Sequence, residues 1–143
     1  MKIEIINKTV EKTVRNRGYK AVVKCNQTGV VTPSDFPMAK ISTPTIKQRT
    51  GRRKGTVTLR TEVTLSRLAE MPDASGDEAD NDAETELRQT LFDDALAIID
   101  ALESMACVCE VKCAATENSR SKTTPSGDAS LVLALDVKLK YGE

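Results

Sequence analysis

The chain has 143 residues, a length that predicts one domain over residues 1–143 with a buried core and no need of disulfides. Its 21 basic and 21 acidic residues cancel, which excludes a global field that would attract nucleic acid or other polyanions. Histidine and tryptophan are absent, so the commonest general base is missing and the core must be aliphatic. We expect neither a membrane-spanning segment nor a signal peptide, because no apolar run is long enough.

Residues 1–32 are compatible with two secondary structures. Residues 10–19 fit a short helix that closes at Gly18, whereas the alternation of Ile3 and Ile5 with charged residues fits a strand. A further strand is predicted at 20–25. Residues 31–43 contain two prolines and are predicted to be a loop, with a short edge strand in the segment MAKIS.

The most regular strand follows a basic turn. Between residues 56 and 66, apolar and β-branched residues alternate with polar ones, which predicts a half-buried strand. The preceding segment IKQ is expected to pair back on it, because Gly51 and Gly55 permit a tight turn. The resulting basic hairpin arm covers residues 47–55 and carries Lys47, Arg49, Arg52, Arg53 and Lys54.

An acidic segment separates this strand from the clearest helix of the chain. Residues 70–86 contain eight acidic residues and no basic one, and residues 70–82 are predicted to be a solvated loop. Residues 83–104 have apolar residues at helical spacing and neither proline nor glycine, which predicts a long amphipathic helix capped by Asn81 or Asp82. Its buried stripe is predicted to contain Leu87, Leu91, Ala95, Ile98 and Leu102, widened by Phe92 and Ile99, while Asp93 and Asp94 face water.

Two alternating strands complete the chain, at 107–115 and from residue 130 to the end, with a polar loop at 116–129 between them. The element order predicts an α+β fold: a mixed, mostly antiparallel sheet with the helix at about 83–104 packed on one face. A short N-terminal helix is one of the two alternatives for the start of the chain. The predicted core residues are Val57, Leu59, Val63, Leu65, Leu91, Ile98, Leu102, Cys109, Leu133, Leu135 and Val137.

The residues that could take part in catalysis or metal binding do not form the pattern of an active site. The four cysteines are Cys25, Cys107, Cys109 and Cys113. The last three share one face of a predicted strand and lie too far apart for one metal ion, so the cysteines are expected to pack in the core. The segment GRRKGT lacks the spacing of a phosphate-binding loop and enters a strand. Asp93 and Asp94 have no histidine or nucleophile partner. We therefore expect no catalytic residue, no metal and no cofactor.

The basic arm has three interpretations. A charge run is often only a solvated turn, and lysine with arginine also suits contact with a nucleic-acid backbone. Nucleic acid is disfavoured because the aromatic residues that commonly accompany such contacts are absent from the arm. An arm of five positive charges and an acidic segment of eight negative charges on one nearly neutral chain favour a head-to-tail contact between copies. The residues expected to make this contact are Lys47, Arg49, Arg52, Arg53, Lys54, Asp77, Glu78 and Asp80.

The order of these patterns, strongest over residues 36–143, resembles that of tailed-phage tail terminator and tail-completion proteins. The resemblance rests on the DFPMAKI strand, the basic hairpin, GTVTLRTEVTL, the helix TLFDDALAIIDALES and the final SLVLALDVKLKY. It implies a small α/β structural protein of the virion, made in the host cytoplasm. Such a protein forms a hexameric ring at the tail or neck, between tail-tube and connector proteins. A nucleic-acid-binding, coat-like viral protein and a cytosolic adaptor remain the alternatives.

Overall fold

The computed structural model describes residues 4–24, 37–68, 77–119 and 128–141, which form two helices and a six-stranded sheet. The predicted α+β fold is confirmed. The elements in chain order are α1 (Glu4–Asn16), β1 (Ala21–Lys24), β2 (Met38–Ile41), β3 (Thr45–Gly51), β4 (Gly55–Leu68), α2 (Asp77–Glu103), β5 (Val108–Ser119) and β6 (Asp128–Tyr141).

The sheet has the order β1-β2-β4-β6-β5, and β3 pairs with β4 beside β2. Only the β1–β2 pair is parallel, and all the other pairs are antiparallel. Strand β4 organises the sheet: β2 pairs with its second half, β3 with its first half, and β6 along its whole length. The predicted MAKIS edge strand is thus an inner strand, since β1 covers its other side.

Helix α1 settles the ambiguity at the start of the chain. Gly18 has a φ of 95°, a left-handed conformation that glycine adopts without a Cβ clash. The Tyr19 amide donates to the Val14 carbonyl at 3.0 Å across this residue, which closes the helix in the manner of a Schellman motif. The chain then turns directly into β1.

One aliphatic core lies between the helices and the sheet. Alternate residues of β4 and β6 face it because successive side chains of a strand point to opposite faces. Both helices pack on this same face of the sheet, and Thr61, which lies among the aliphatic residues of β4, donates its hydroxyl to the Ser42 carbonyl at 2.9 Å. The predicted core residues buried here are Val57, Leu59, Val63, Leu65, Leu91, Ile98, Leu102, Leu133, Leu135 and Val137.

The prediction that Cys109 belongs to the core is wrong. The pairing of β5 with β6 shifts between Val108 and Glu110, so a bulge at Cys109 takes its thiol out of phase with the buried face. Cys113 is also exposed because β5 is an edge strand, and only Cys107 packs partly against the core. Cys25 lies outside the described residues.

Two predictions about the long helix are corrected as well. Helix α2 begins at Asp77, so the predicted acidic loop is helical from that residue, and Asn81 and Asp82 lie inside the helix instead of capping it. The remainder of the predicted loop, residues 70–76, lies outside the described residues. Phe92, predicted to widen the buried stripe, is exposed, because the core covers a narrower face of the helix.

Candidate assembly interface

The basic arm is a hairpin with a short turn. Gly51 and Gly55 pair across it, and residues 52–54 form the bend. Gly51 has a φ of 98°, and a Cβ at either glycine would collide with backbone of the opposite strand. The turn therefore requires glycine at both positions, which is the reason that two glycines flank a run of cations.

The base of the hairpin is fixed to the end of β6. The Arg49 guanidinium lies over the Tyr141 ring, 5.0 Å from its centroid, and its Nε donates to the Tyr141 hydroxyl at 3.0 Å. That hydroxyl donates in turn to the carbonyls of Thr50 and Gly51, at 3.0 and 2.8 Å. A second nitrogen of Arg49 donates to the Arg52 carbonyl at 3.1 Å. These contacts preorganise the turn, which lowers the entropy cost of binding through it.

Lys47 forms an ion pair within its own chain. Its ammonium lies 2.8 Å from the Asp136 carboxylate on the helix-free face of the sheet, and the Arg60 Nε donates to the other carboxylate oxygen at 2.9 Å. Hydrogen bonds from Arg60, and then from Lys47, lower the pKa of Asp136 to about 2. Lys47 therefore serves the hairpin's own structure, as Arg49 does.

Arg52, Arg53 and Lys54 remain at the tip. All three are exposed, and none forms an ion pair with another residue in the described part of the chain. Exposed cations on a bend without local carboxylates repel one another and gain energy from an external acidic surface. Of the five predicted contact cations, these three are the ones available to a partner.

The predicted acidic partners lie at the other end of the molecule. Val108, just after α2, pairs with Leu139 near the hairpin, whereas Asp94 of α2 contacts Arg67 at the far end of β4. Helix α2 therefore runs toward the hairpin, and its first turn, with Asp77, is remote from it. The rise per residue of strands and helices gives a distance on the order of 50 Å between the hairpin tip and the first turn of α2. The two charged segments of one chain cannot meet.

A buried carboxylate, missed at the sequence level, joins three elements. Asp94 is only 1% exposed, which makes the prediction that it faces water wrong. Arg17 donates to one of its oxygens at 2.7 Å, and Arg67 and the Tyr19 hydroxyl donate to the other at 3.0 and 2.7 Å. Arg67 also lies over the Tyr19 ring, 4.7 Å from its centroid. Burial and the neighbouring Asp94 carboxylate raise the pKa of Tyr19.

A signal for this cluster was present in the sequence. Asp94 lies three residues after Leu91 and four before Ile98, which places it on the buried stripe of the helix. A carboxylate at such a position needs paired donors, because an unpaired buried charge is strongly destabilising. Its oxygens are fully engaged by Arg17, Arg67 and Tyr19, so the cluster acts as a structural tie.

The described residues contain no helix that is both long and apolar enough to cross a membrane. No protein-family model matches the chain, and no curated protein matches it either. Among solved structures, it is similar to a chain of the "virion of native gene transfer agent (GTA) particle", with 13% identity and a TM-score of 0.45. The similarity covers 90% of this chain and 91% of that one.

Proposed function

We propose that the protein is a structural component of a tailed-phage virion, which forms a ring where the tail meets the connector and ends or completes the tail. The order of strands, hairpin and helix resembles that of tail terminator and tail-completion proteins, whose rings contain six copies. The proposed partners are other copies of this chain and the neighbouring tail-tube and connector proteins. The proposed role is structural and not catalytic.

The observation that carries this proposal is the position of the free cations. Arg52, Arg53 and Lys54 lie at the tip of the hairpin, and the rise per residue of strands and helices places them on the order of 50 Å from the acidic start of α2. Patches of opposite sign at opposite ends of one chain suit a heterologous contact, in which each copy binds the next. When the rotation between copies closes, such a contact produces a ring.

The test removes the charge of the tip. In the variant R52S/R53S/K54S the fold should remain intact, because the three side chains are exposed and outside the core. Its assembly, measured by native mass spectrometry and analytical ultracentrifugation, should be weakened relative to the wild type. The control K8S/K12S/K20S loses the same charge from exposed positions in and beyond α1 and should assemble normally. Equal assembly of all three proteins would refute the role of the tip.

Nucleic-acid binding is the second candidate, since exposed arginine and lysine on a projecting hairpin also suit phosphate contacts. It makes a separate prediction. Three tip cations bound to duplex phosphates would produce a salt slope of about −2.7 in log K against log salt. The wild type would then bind nucleic acid with this salt slope, and R52S/R53S/K54S would lose that binding but assemble normally. This combination of results would favour nucleic-acid binding over assembly as the role of the tip.

A further inference from the structure

The outer face of α2 carries an apolar pair that its own chain leaves uncovered. Phe92 and Leu96 are 50% and 51% exposed and lie one helical turn apart, so their side chains are neighbours. Both lie beside the buried stripe that contains Ile98 and Leu102, on the side of the helix that the core leaves uncovered. Exposed apolar residues that cluster on one helix face are a common feature of protein–protein contacts.

The helix that carries this pair is strongly acidic. Helix α2 contains ten acidic residues and a single basic one, Arg88. Asp93 and Asp100 are exposed beside the apolar pair, and Asp77, Glu78 and Asp80 occupy the first helical turn and its continuation. The surface therefore suits a partner segment that combines one apolar side chain with several cations.

The hairpin of the same protein has this composition. Ile46 of β3 is 61% exposed, the largest exposed fraction among the large apolar residues of the described chain, and the three tip cations follow it. In the hairpin, about 20 Å of extended strand separates Ile46 from Arg52. In the helix, about 18 Å separates Phe92 from Asp80. The two segments thus match in length as well as in chemistry.

We infer that the hairpin of one copy docks along the outer face of α2 in a second copy. Ile46 contacts Phe92 and Leu96, and Arg52, Arg53 and Lys54 contact the acidic first turns of the helix. This inference rests on the proposed function, because it names the acceptor of the contact between copies. The hairpin runs toward the N-terminus of α2, since the acidic residues are densest there.

Charge reversal tests the pairing. The variant R52E/R53E/K54E should fail to assemble, and adding D77K/E78K/D80K to the same chain should restore assembly at least partly, because the two reversed surfaces match again. Adding D100K/E103K, at the opposite end of α2, should restore less. Equal rescue by both helix variants, or rescue by neither, would overturn the inference.

Photo-cross-linking tests the apolar part without disturbing charge. Benzoylphenylalanine in place of Phe92 should cross-link to residues 45–51 of another copy, and mixing ¹⁵N-labelled with unlabelled protein identifies the two chains by mass spectrometry. The same group in place of Ile5, an exposed apolar residue of α1, should not reach this segment. Cross-links from position 92 only to other regions would overturn the inference and leave ring formation intact. A chain that remains monomeric under all conditions would overturn both proposals.

Discussion

Replacing Asp94 with asparagine should strongly destabilise the fold. The carboxylate accepts hydrogen bonds from Arg17, Arg67 and Tyr19, and it is the only negative charge within ion-pair distance of these two arginines in the described structure. Asparagine has nearly the same shape, so the change removes charge and one acceptor oxygen with little change in volume. It leaves the two guanidinium groups without their counter-ion at the junction of α1, α2 and β4.

The magnitude follows from the burial of the partners. Removing one member of a fully buried ion pair costs about 3–5 kcal/mol. Here the side chains of Arg17 and Arg67 are 41% and 20% exposed, so water offsets part of that cost. We expect a loss of about 3 kcal/mol for Asp94→Asn, which at this chain length lowers Tm by about 6–12 °C.

The assay is urea or thermal unfolding followed by circular dichroism at one protein concentration, because assembly also changes apparent stability. Asp93→Asn is the matched control: the neighbouring carboxylate is exposed, and among the described residues it accepts only from Gln89 on the same helix, at 3.0 Å. It should change the free energy of unfolding by no more than about 0.5 kcal/mol. If both variants lose the same small amount, the reasoning about the buried cluster is wrong.

Three further predictions concern the sheet. Cys109→Ala should change the free energy of unfolding by less than about 0.5 kcal/mol, since the thiol is exposed at a bulge; a loss typical of a core cavity would contradict this. Tyr141→Phe keeps the ring under Arg49 but removes the hydroxyl, and denaturant titration should show a loss of about 1 kcal/mol. The pKa of Asp136 is lowered from 3.8 to about 2, so its contribution to stability is complete above pH 4 and is lost as the pH falls from about 4 to 2. The stability difference between the wild type and Asp136→Asn should shrink over that interval, and a constant difference would refute the ion-pair assignment.

The sequence by itself determined the parts of the fold that depend on local periodicity. Alternation over residues 56–66 and 131–141 defines which face of β4 and β6 is buried, because a strand has only two faces and one is almost wholly apolar. The same local reasoning located the hairpin, because two glycines flank its cations. It also predicted the α+β class, because one long helical pattern interrupts a series of strands.

Local patterns were insufficient where a neighbouring element decides the outcome. Asp94 is buried because Arg17 and Arg67 bring donors from 77 and 27 residues away, and neither is recognisable as its partner from the helix alone. The bulge at Cys109 depends on the register of β5 against β6, and one added residue reverses which side chains face the core. Phe92 is exposed because the sheet and α1 cover only part of α2.

The relation between the charged segments is likewise a tertiary property. The sequence shows a basic hairpin at 47–55 and an acidic segment at 70–86, a spacing that would permit contact within one chain. Only the direction of α2, set by its packing on the sheet and by its connection to β5, puts Asp77 at the end opposite Arg53. Chain distance limits how far two residues can be from one another, but packing decides where each one lies, and here it keeps the two charged segments apart.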